Sequence, residues 1–175
     1  MIATMIPQPK ISISRRVGIL TVFLSFCLTA GAVDPIGIGT IEDLQKIGND
    51  AAYPLNGSYV LTNDIDASET SVWNDGQGFK PIGTYTANFA KAFTGSLDGQ
   101  GHKILKLHIN RPDTEGVGLF GAAKNATISN ANLFHADIKG QDGVGILVGH
   151  AKSAEISTCV VAGTVSGILH VGGLI

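Results

Sequence analysis

The sequence predicts an all-β chain: a right-handed parallel β-helix (solenoid) with a short amino-terminal capping helix, preceded by a signal peptide. Three observations predict it. Glycine supplies 23 of 175 residues, about twice ordinary usage, while charged residues make up 15% and apolar residues 44%. Short runs rich in Val, Ile and Thr are divided by Gly, Asn and Asp, the pattern of strands separated by tight turns. Val117, Val144 and Val171 stand 27 residues apart, as do Gly118, Gly145 and Gly172, and a fixed period in this range marks a stacked repeat.

The first element is a leader. Arg15-Arg16 precedes the uncharged apolar run Val17–Leu28, which gives way to Ala30-Gly31-Ala32. A positive segment, an apolar segment and a small-x-small site in that order make a secretory signal peptide. The run of about 12 residues is short of the ~20 that a membrane-spanning helix needs, so cleavage is favoured over a retained anchor. Cleavage after Ala32 would leave Val33 first and no membrane span. Gly18 stands where a twin-arginine signal carries a bulky apolar residue, and Phe26 is too large to precede a lipidated Cys27. The expected organisation is signal peptide at 1–32, amino-terminal cap and first coils at 33–115, and repeats at 116–175, the last one truncated.

The cap comes next. Thr40 precedes Ile41-Glu42-Asp43-Leu44-Gln45-Lys46-Ile47, with Asp43 at the reciprocal capping-box position. Ile41, Leu44 and Ile47 form one apolar stripe, suited to covering the open end of a β stack. Tyr59-Val60-Leu61-Thr62 reads as a strand ending at Asn63-Asp64. Ile104–Ile109 reads as another, with Ile104, Leu105, Leu107 and Ile109 supplying the core after the turn Asp98-Gly99-Gln100-Gly101.

The repeat proper runs Gly116-Val117-Gly118-Leu119-Phe120-Gly121, then Ala126-Thr127-Ile128-Ser129-Asn130 and Ile138-Lys139-Gly140. A second copy runs Gly143–Gly149, Ala154–Thr158 and Val165–Gly167, and a third opens at His170. Strands this short make one coil per copy, and stacking would set Ile128 over Ile156. A leucine-rich repeat would also fit the period, but its Asn-centred Leu framework is missing, and a propeller blade needs about 40 residues.

Gly118-Leu119-Phe120-Gly121, Gly145-Ile146-Leu147-Val148-Gly149 and Gly172-Gly173-Leu174 resemble the GLUG motif of bacterial secreted and surface proteins. The upstream segments Phe79-Lys80-Pro81-Ile82-Gly83 and Phe93–His102 are similar to the stretch that opens such arrays. The resemblance covers nearly all of residues 38–175. It implies a β-solenoid of the kind found in haemagglutinin-like adhesins and in non-catalytic regions of immunoglobulin A-specific metallopeptidases. Gly118, Leu119, Gly121, Gly145, Val148, Gly149, Gly172 and Gly173 are then structural motif positions, and no catalytic residue is implied.

Charge narrows the partners. Every acidic residue lies at or after Asp34; without Lys10, Arg15 and Arg16, the 12 basic residues fall to 9 against 14 acidic. A net charge near −5 disfavours nucleic acid. A glycan or protein on a host or neighbouring cell is the expected partner, with self-association through the open carboxy-terminal edge, and the expected location is secreted or cell-surface. Cys159 is expected as a small buried hydrophobe, without a disulfide partner once Cys27 is removed.

Chemistry finds little footing. His102, His108, His135, His150 and His170 form no HExxH pair and no Cys/His ligand spacing. Asp64 and Asp66 fall on one side of an extended segment and are the Ca²⁺ candidates, against an Asx-type turn at the same place. The function expected is a non-enzymatic exported module for adhesion or a structural stalk. The alternatives are a β-helix carbohydrate-active enzyme, or a spacer in a larger secreted protease or autotransporter. Trp73, Phe79, Tyr85 and Phe89 concentrate the aromatics in the Ser68–Ala92 excursion, where they either pack the loop down or offer a ring to a sugar.

Overall fold

The computed structural model describes residues 34–175; the predicted signal peptide and Cys27 lie outside the described residues. In chain order the elements are β1 (Ile36–Ile38), helix α1 (Ile41–Lys46), β2 (Ser58–Leu61), β3 (Ile65–Asp66), a 3-10 turn (Ser68–Val72), β4 (Ser96–Asp98), β5 (Lys103–Leu105) and β6 (His108–Asn110). They continue with β7 (Phe120–Lys124), β8 (Thr127–Ser129), β9 (Asn132–Lys139), β10 (Asp142–Val144), β11 (Val148–Lys152), β12 (Glu155–Ser157), β13 (Val160–Ser166) and β14 (Leu169–Val171). The described chain is all-β apart from α1 and the 3-10 turn.

Helix α1 forms for local reasons. Thr40 is extended, and its Oγ1 accepts the Asp43 N–H at 3.2 Å. The Asp43 carboxylate reaches back to the Gly39 N–H at 3.3 Å, one residue before the position a capping box would use. The helix follows β1, an end strand of its sheet, and buries Ile41, Leu44 and Ile47 there.

The strands pair with one another only in parallel, and from β4 onward the chain returns to the same sheets in the same order. Strands β1, β2, β4, β8 and β12 lie side by side, as do β3, β5, β9 and β13; β6 also pairs with β9, β7 with β11, and β10 with β14. Parallel neighbours require a long crossover. Here the intervening strands themselves supply it.

Parallel registration turns the repeat into columns of side chains. Tyr59, Leu97, Ile128 and Ile156 align across one sheet. Ile65, Ile104, Leu133 and Val161 align across another, with Ile109, Ile138 and Val165 beside them. Val117, Val144 and Val171 make a further column. Every member except the last of each column is buried, so the core is continuous through the circuits and thins at β12–β14. Aromatics thicken it where Phe93 lies 4.8 Å from Phe120 and 6.2 Å from Tyr59, centroid to centroid.

Three details differ from expectation, each for a backbone reason. Leu105 is only half-buried, because it alternates with buried Ile104 in β5, and Lys106 then adopts a left-handed conformation (φ 59°) that resets the alternation and puts Leu107 and Ile109 inside. The period is not constant: Ile128 pairs with Ile156, 28 residues on, whereas Val144 pairs with Val171, 27 residues on. A bulge at His135 accounts for the difference. Phe134 pairs with Ala162 and Ala136 with Gly163, so His135 (φ 58°) has no counterpart in β13. Third, the Ser68–Ala92 excursion is no simple loop over a face. Ile82 bridges Phe120 and Phe93 bridges Ala123, both in parallel, and an antiparallel hairpin closed by Thr84 and Lys91 projects between them.

Candidate functional site

The described surface offers three places where side chains gather: a groove between α1 and the excursion, the acidic ridge at β3, and the cluster around His150. The groove is held from both sides. On the helix side, Gln45 makes two hydrogen bonds with the Lys80 backbone, accepting its N–H at 2.8 Å and donating to its carbonyl at 3.0 Å. Asn49 donates to the Gln45 carbonyl at 2.7 Å and accepts from Lys80 Nζ at 2.8 Å.

On the excursion side, fully buried Thr70 donates to the Ala67 carbonyl at 2.7 Å and accepts the His108 N–H at 2.9 Å, tying the 3-10 turn to β6. Gly78 bridges Ile109, and its backbone conformation (φ +79°), with the His108 carbonyl against it, leaves no room for a Cβ. Asn74 and Arg111 hold residues 77–79 through the Gly78 carbonyl, the Phe79 carbonyl and the Gln77 side chain, and burial depresses the Arg111 pKa. Trp73, half-buried, stands on this platform and faces Gln45 and Asn49. Two depressions of about 350 and 280 Å³ meet at its ring; their walls are Gln45, Asn49, Asn74 and Lys80 on one side and Glu42, Lys46 and Asp50 on the other.

The excursion aromatics divide. Phe79 is fully buried. Tyr85 stacks on His150 at 3.8 Å between ring centroids and meets Phe89 edge-on at 5.4 Å. Only Trp73 of the four lines a described groove.

Asp64 and Asp66, the Ca²⁺ candidates, point at donors. Asp64 accepts the Lys103 N–H at 2.9 Å and lies 3.3 Å from His102 Nδ1. Asp66 accepts the Ser68 N–H at 3.0 Å, the Asx turn, and lies 3.6 Å from Lys106 Nζ. Both contacts of Asp64 fall on its Oδ1, and those of Asp66 are divided between its two oxygens; these bonds lower both carboxyl pKa values, the backbone N–H contributing most. Among the described residues no cluster of three His, Cys, Asp or Glu side chains could hold a metal ion. His108–Asp137 at 3.2 Å and His170–Asp142 at 2.7 Å repeat the same device, a His–Asp pair joining neighbouring circuits. Glu42 and Glu69 share a hydrogen bond that raises Glu69, but both are exposed and lack the burial that would keep one protonated near neutral pH.

Of the residues quoted for the motif, all but Gly173 sit against other parts of the chain. Leu119 and Val148 are fully buried. A Cβ on Gly118 would lie 2.6 Å from the Gly145 carbonyl oxygen, one on Gly121 the same distance from the Gly83 carbonyl oxygen, and one on Gly149 2.7 Å from the Gly116 carbonyl carbon. Gly145 sits against the Val148 carbonyl and Gly172 against that of Ile175, while Gly173 faces open space. Cys159 is half-buried, and its thiol donates to the Ser157 carbonyl at 3.2 Å.

His150 gives a pH prediction. Its Nε2 is buried against Gly143 with no hydrogen-bond partner among the described residues, and burial lowers its pKa despite Asp142 and Glu115 nearby. The unfolded chain therefore takes up the proton first, near pH 6.5. The contribution is complete above that value and falls away as the pH drops toward the lowered folded pKa. Asp64, Asp66, Asp98 and Asp142 are shifted down as well, so their contribution disappears only below about pH 4. Melting temperature is expected to fall in two stages on acidification, and His150→Gln should flatten the upper stage alone. An unchanged upper stage in that variant would show that another group titrates there.

No protein-family model matches the chain, so the GLUG resemblance rests on the residues quoted for it. The chain is 44% identical over 144 residues to a halomucin of Haloquadratum walsbyi, covering 81% of this chain and 2% of the relative. It is 31% identical over 123 residues to the zinc metalloprotease ZmpC of Streptococcus pneumoniae, covering 69% of this chain and 6% of the relative. The chain thus spans a small fraction of the curated relatives it matches. Among solved structures, a candidate immunoglobulin A1 protease from Bacteroides ovatus shares the fold with a TM-score of 0.51 at 15% identity, over 77% of this chain and 43% of the other.

Proposed function

We propose that this chain is a non-enzymatic, exported repeat module whose circuits form a right-handed parallel β-helix, serving at the cell surface as an adhesive or structural stalk. The observation that carries the reading is the registration of successive circuits. The same columns recur from Tyr59 to Ile156 and from Val117 to Val171, so the molecule is built to extend along one axis. An extending stack offers long faces rather than an enclosed cleft. Similarity to small parts of a halomucin and of a zinc metalloprotease favours a module that recurs in large chains, including as a spacer beside a catalytic domain. Among the described residues no helix is long and apolar enough to cross a membrane. Strands β13 and β14 and the residue Ile175 expose Val160, Leu169, Val171 and Ile175, an apolar face that a further circuit or a second copy would cover.

Protease added to intact source cells tests the surface role, read together with the intact mass of the native protein from envelope and medium. Digestion from outside, with a mass lacking residues 1–32, is the expected result. Protection on intact cells but not in lysate would overturn the reading. So would turnover of an acidic polysaccharide abolished at one specific carboxylate.

A further inference from the structure

The groove at Trp73 has properties that neither a stalk nor a packing role requires. Its one aromatic lining residue is Trp73, half-buried, beside residues fixed by Thr70, Asn74, Gly78 and Arg111. Gln45 and Asn49 line the same groove. Those amides are spent on Lys80, which fixes the far wall before any ligand arrives. A site whose walls are already ordered avoids much of the entropy cost of binding.

The lining selects the ligand. Apart from Trp73, the two depressions that meet at its ring contain only amides and charged groups of both signs: Asn74, Lys46, Lys80, Glu42 and Asp50 beside Gln45 and Asn49. An apolar peptide anchor would find no second apolar wall. A polyanion would meet Glu42 and Asp50 in a molecule whose mature part is acidic. Mixed donors and acceptors around a flat aromatic face suit a ligand with one apolar face and a rim of uncharged hydroxyls.

We infer that the Trp73 groove, between α1 and the excursion, binds a neutral pyranose oligosaccharide, with one ring stacked on the indole and its hydroxyls on the Asn74, Asp50 and Lys80 side chains. The two depressions, of about 350 and 280 Å³, together hold more than a single sugar ring, so the ligand is a chain rather than a monosaccharide. The inference deepens the surface-module reading and rests on it for where such a glycan would be met, since a stalk that carries this groove would hold its cell to a polysaccharide.

Trp73 is the sole tryptophan of the sequence, so its emission reports this groove and nothing else. The test titrates the intact protein with cellohexaose, chitohexaose and mannohexaose, with hexagalacturonate as the acidic comparison. A saturable blue shift with at least one neutral chain is expected, at a dissociation constant on the order of 1 mM or tighter. Trp73→Ala, followed by calorimetry, should weaken binding at least about tenfold, and Trp73→Phe, which keeps the packing under the ring, should weaken it less. Silence across the three neutral chains, a response to hexagalacturonate alone, or undiminished binding by Trp73→Ala would each overturn the inference. The wild-type titration needs no variant to fold. A silent titration with protease digestion on intact cells would remove the groove and leave the stalk; a positive titration with protection on intact cells would do the reverse.

Discussion

Ile128→Asp is expected to leave the chain unfolded at room temperature, whereas Ile156→Asp should leave most of it folded. The two residues pair directly across β8 and β12 and occupy the same place in successive repeats, so local sequence does not distinguish them. Burial does. Ile128 is fully buried between Leu97 and Ile156, while Ile156 lies in the last circuit and is half-buried. Removing a buried Ile side chain costs about 2–5 kcal/mol, and an unpaired carboxylate in its place adds several more. That is comparable to the whole stability of a domain, about 5–15 kcal/mol. At position 156 the carboxylate can reach water, and the cost falls to about 1–2 kcal/mol. Urea unfolding followed by far-ultraviolet circular dichroism reads both. Equal losses would mean that the last circuit is packed as tightly as the one before it, and the graded core would be wrong.

The contrast also separates what the sequence made legible from what it did not. The Ile128–Ile156 stacking and the Val117–Val144–Val171 column follow from spacing, because a parallel stack converts sequence period into spatial contact. The Thr40 cap was legible for a similar reason, being a local hydrogen bond between residues three apart. What escaped depends on single backbone torsions. Nothing in Ile104-Leu105-Lys106-Leu107 announces that Lys106 turns left-handed, yet that torsion is what brings Leu107 inside after Leu105 has alternated outward. His135 acts likewise in the next circuit, and the lack of its counterpart in β13 shortens the later repeat.

The excursion was the least legible part, since its pairing is made by isolated bridges rather than by strands. Ile82 and Phe93 join columns begun by Phe120 and Ala123, but the hairpin between them destroys any fixed spacing. The groove escaped for the same reason. Trp73 stood out as an aromatic, but Gln45 and Asn49 could be placed opposite it only once the Gln45–Lys80 hydrogen bonds were known. Asp64 and Asp66 show the converse: the Asx turn to Ser68 is local and legible, but the other donors they meet come from residues 38 to 40 positions later.

Gly99→Ala should be far more damaging than Gly101→Ala, although both glycines lie in the one turn Asp98–Gly101. The two are glycine for different reasons. Gly101 has φ +78° and open space around its missing side chain. Alanine there meets only the left-handed backbone penalty, about 1–2 kcal/mol. Gly99 needs no unusual torsion, but a Cβ would press on the Asn130 carbonyl oxygen and come within 2.7 Å of the Ala131 Cα, both backbone atoms of the next circuit. The turn is pinned against those residues: the Gly99 N–H donates to the Ser129 carbonyl at 2.8 Å, and Asn130 Nδ2 donates to Asp98 at 2.9 Å. No side chain can swing aside, so the added methyl must drive two circuits apart. Neighbouring strands hold a spacing near 4.8 Å, and the parallel pair β4–β8 would have to give it up. About 3 kcal/mol or more is expected. Gly173→Ala, which meets nothing within 4 Å, is the control and should change stability by less than ~0.5 kcal/mol. Thermal melts of the three variants give the ranking directly. If Gly99→Ala melts at or above Gly101→Ala, the spacing between circuits is not set by backbone contact at the turns, and the glycines at 118, 121 and 149 would lose the same explanation.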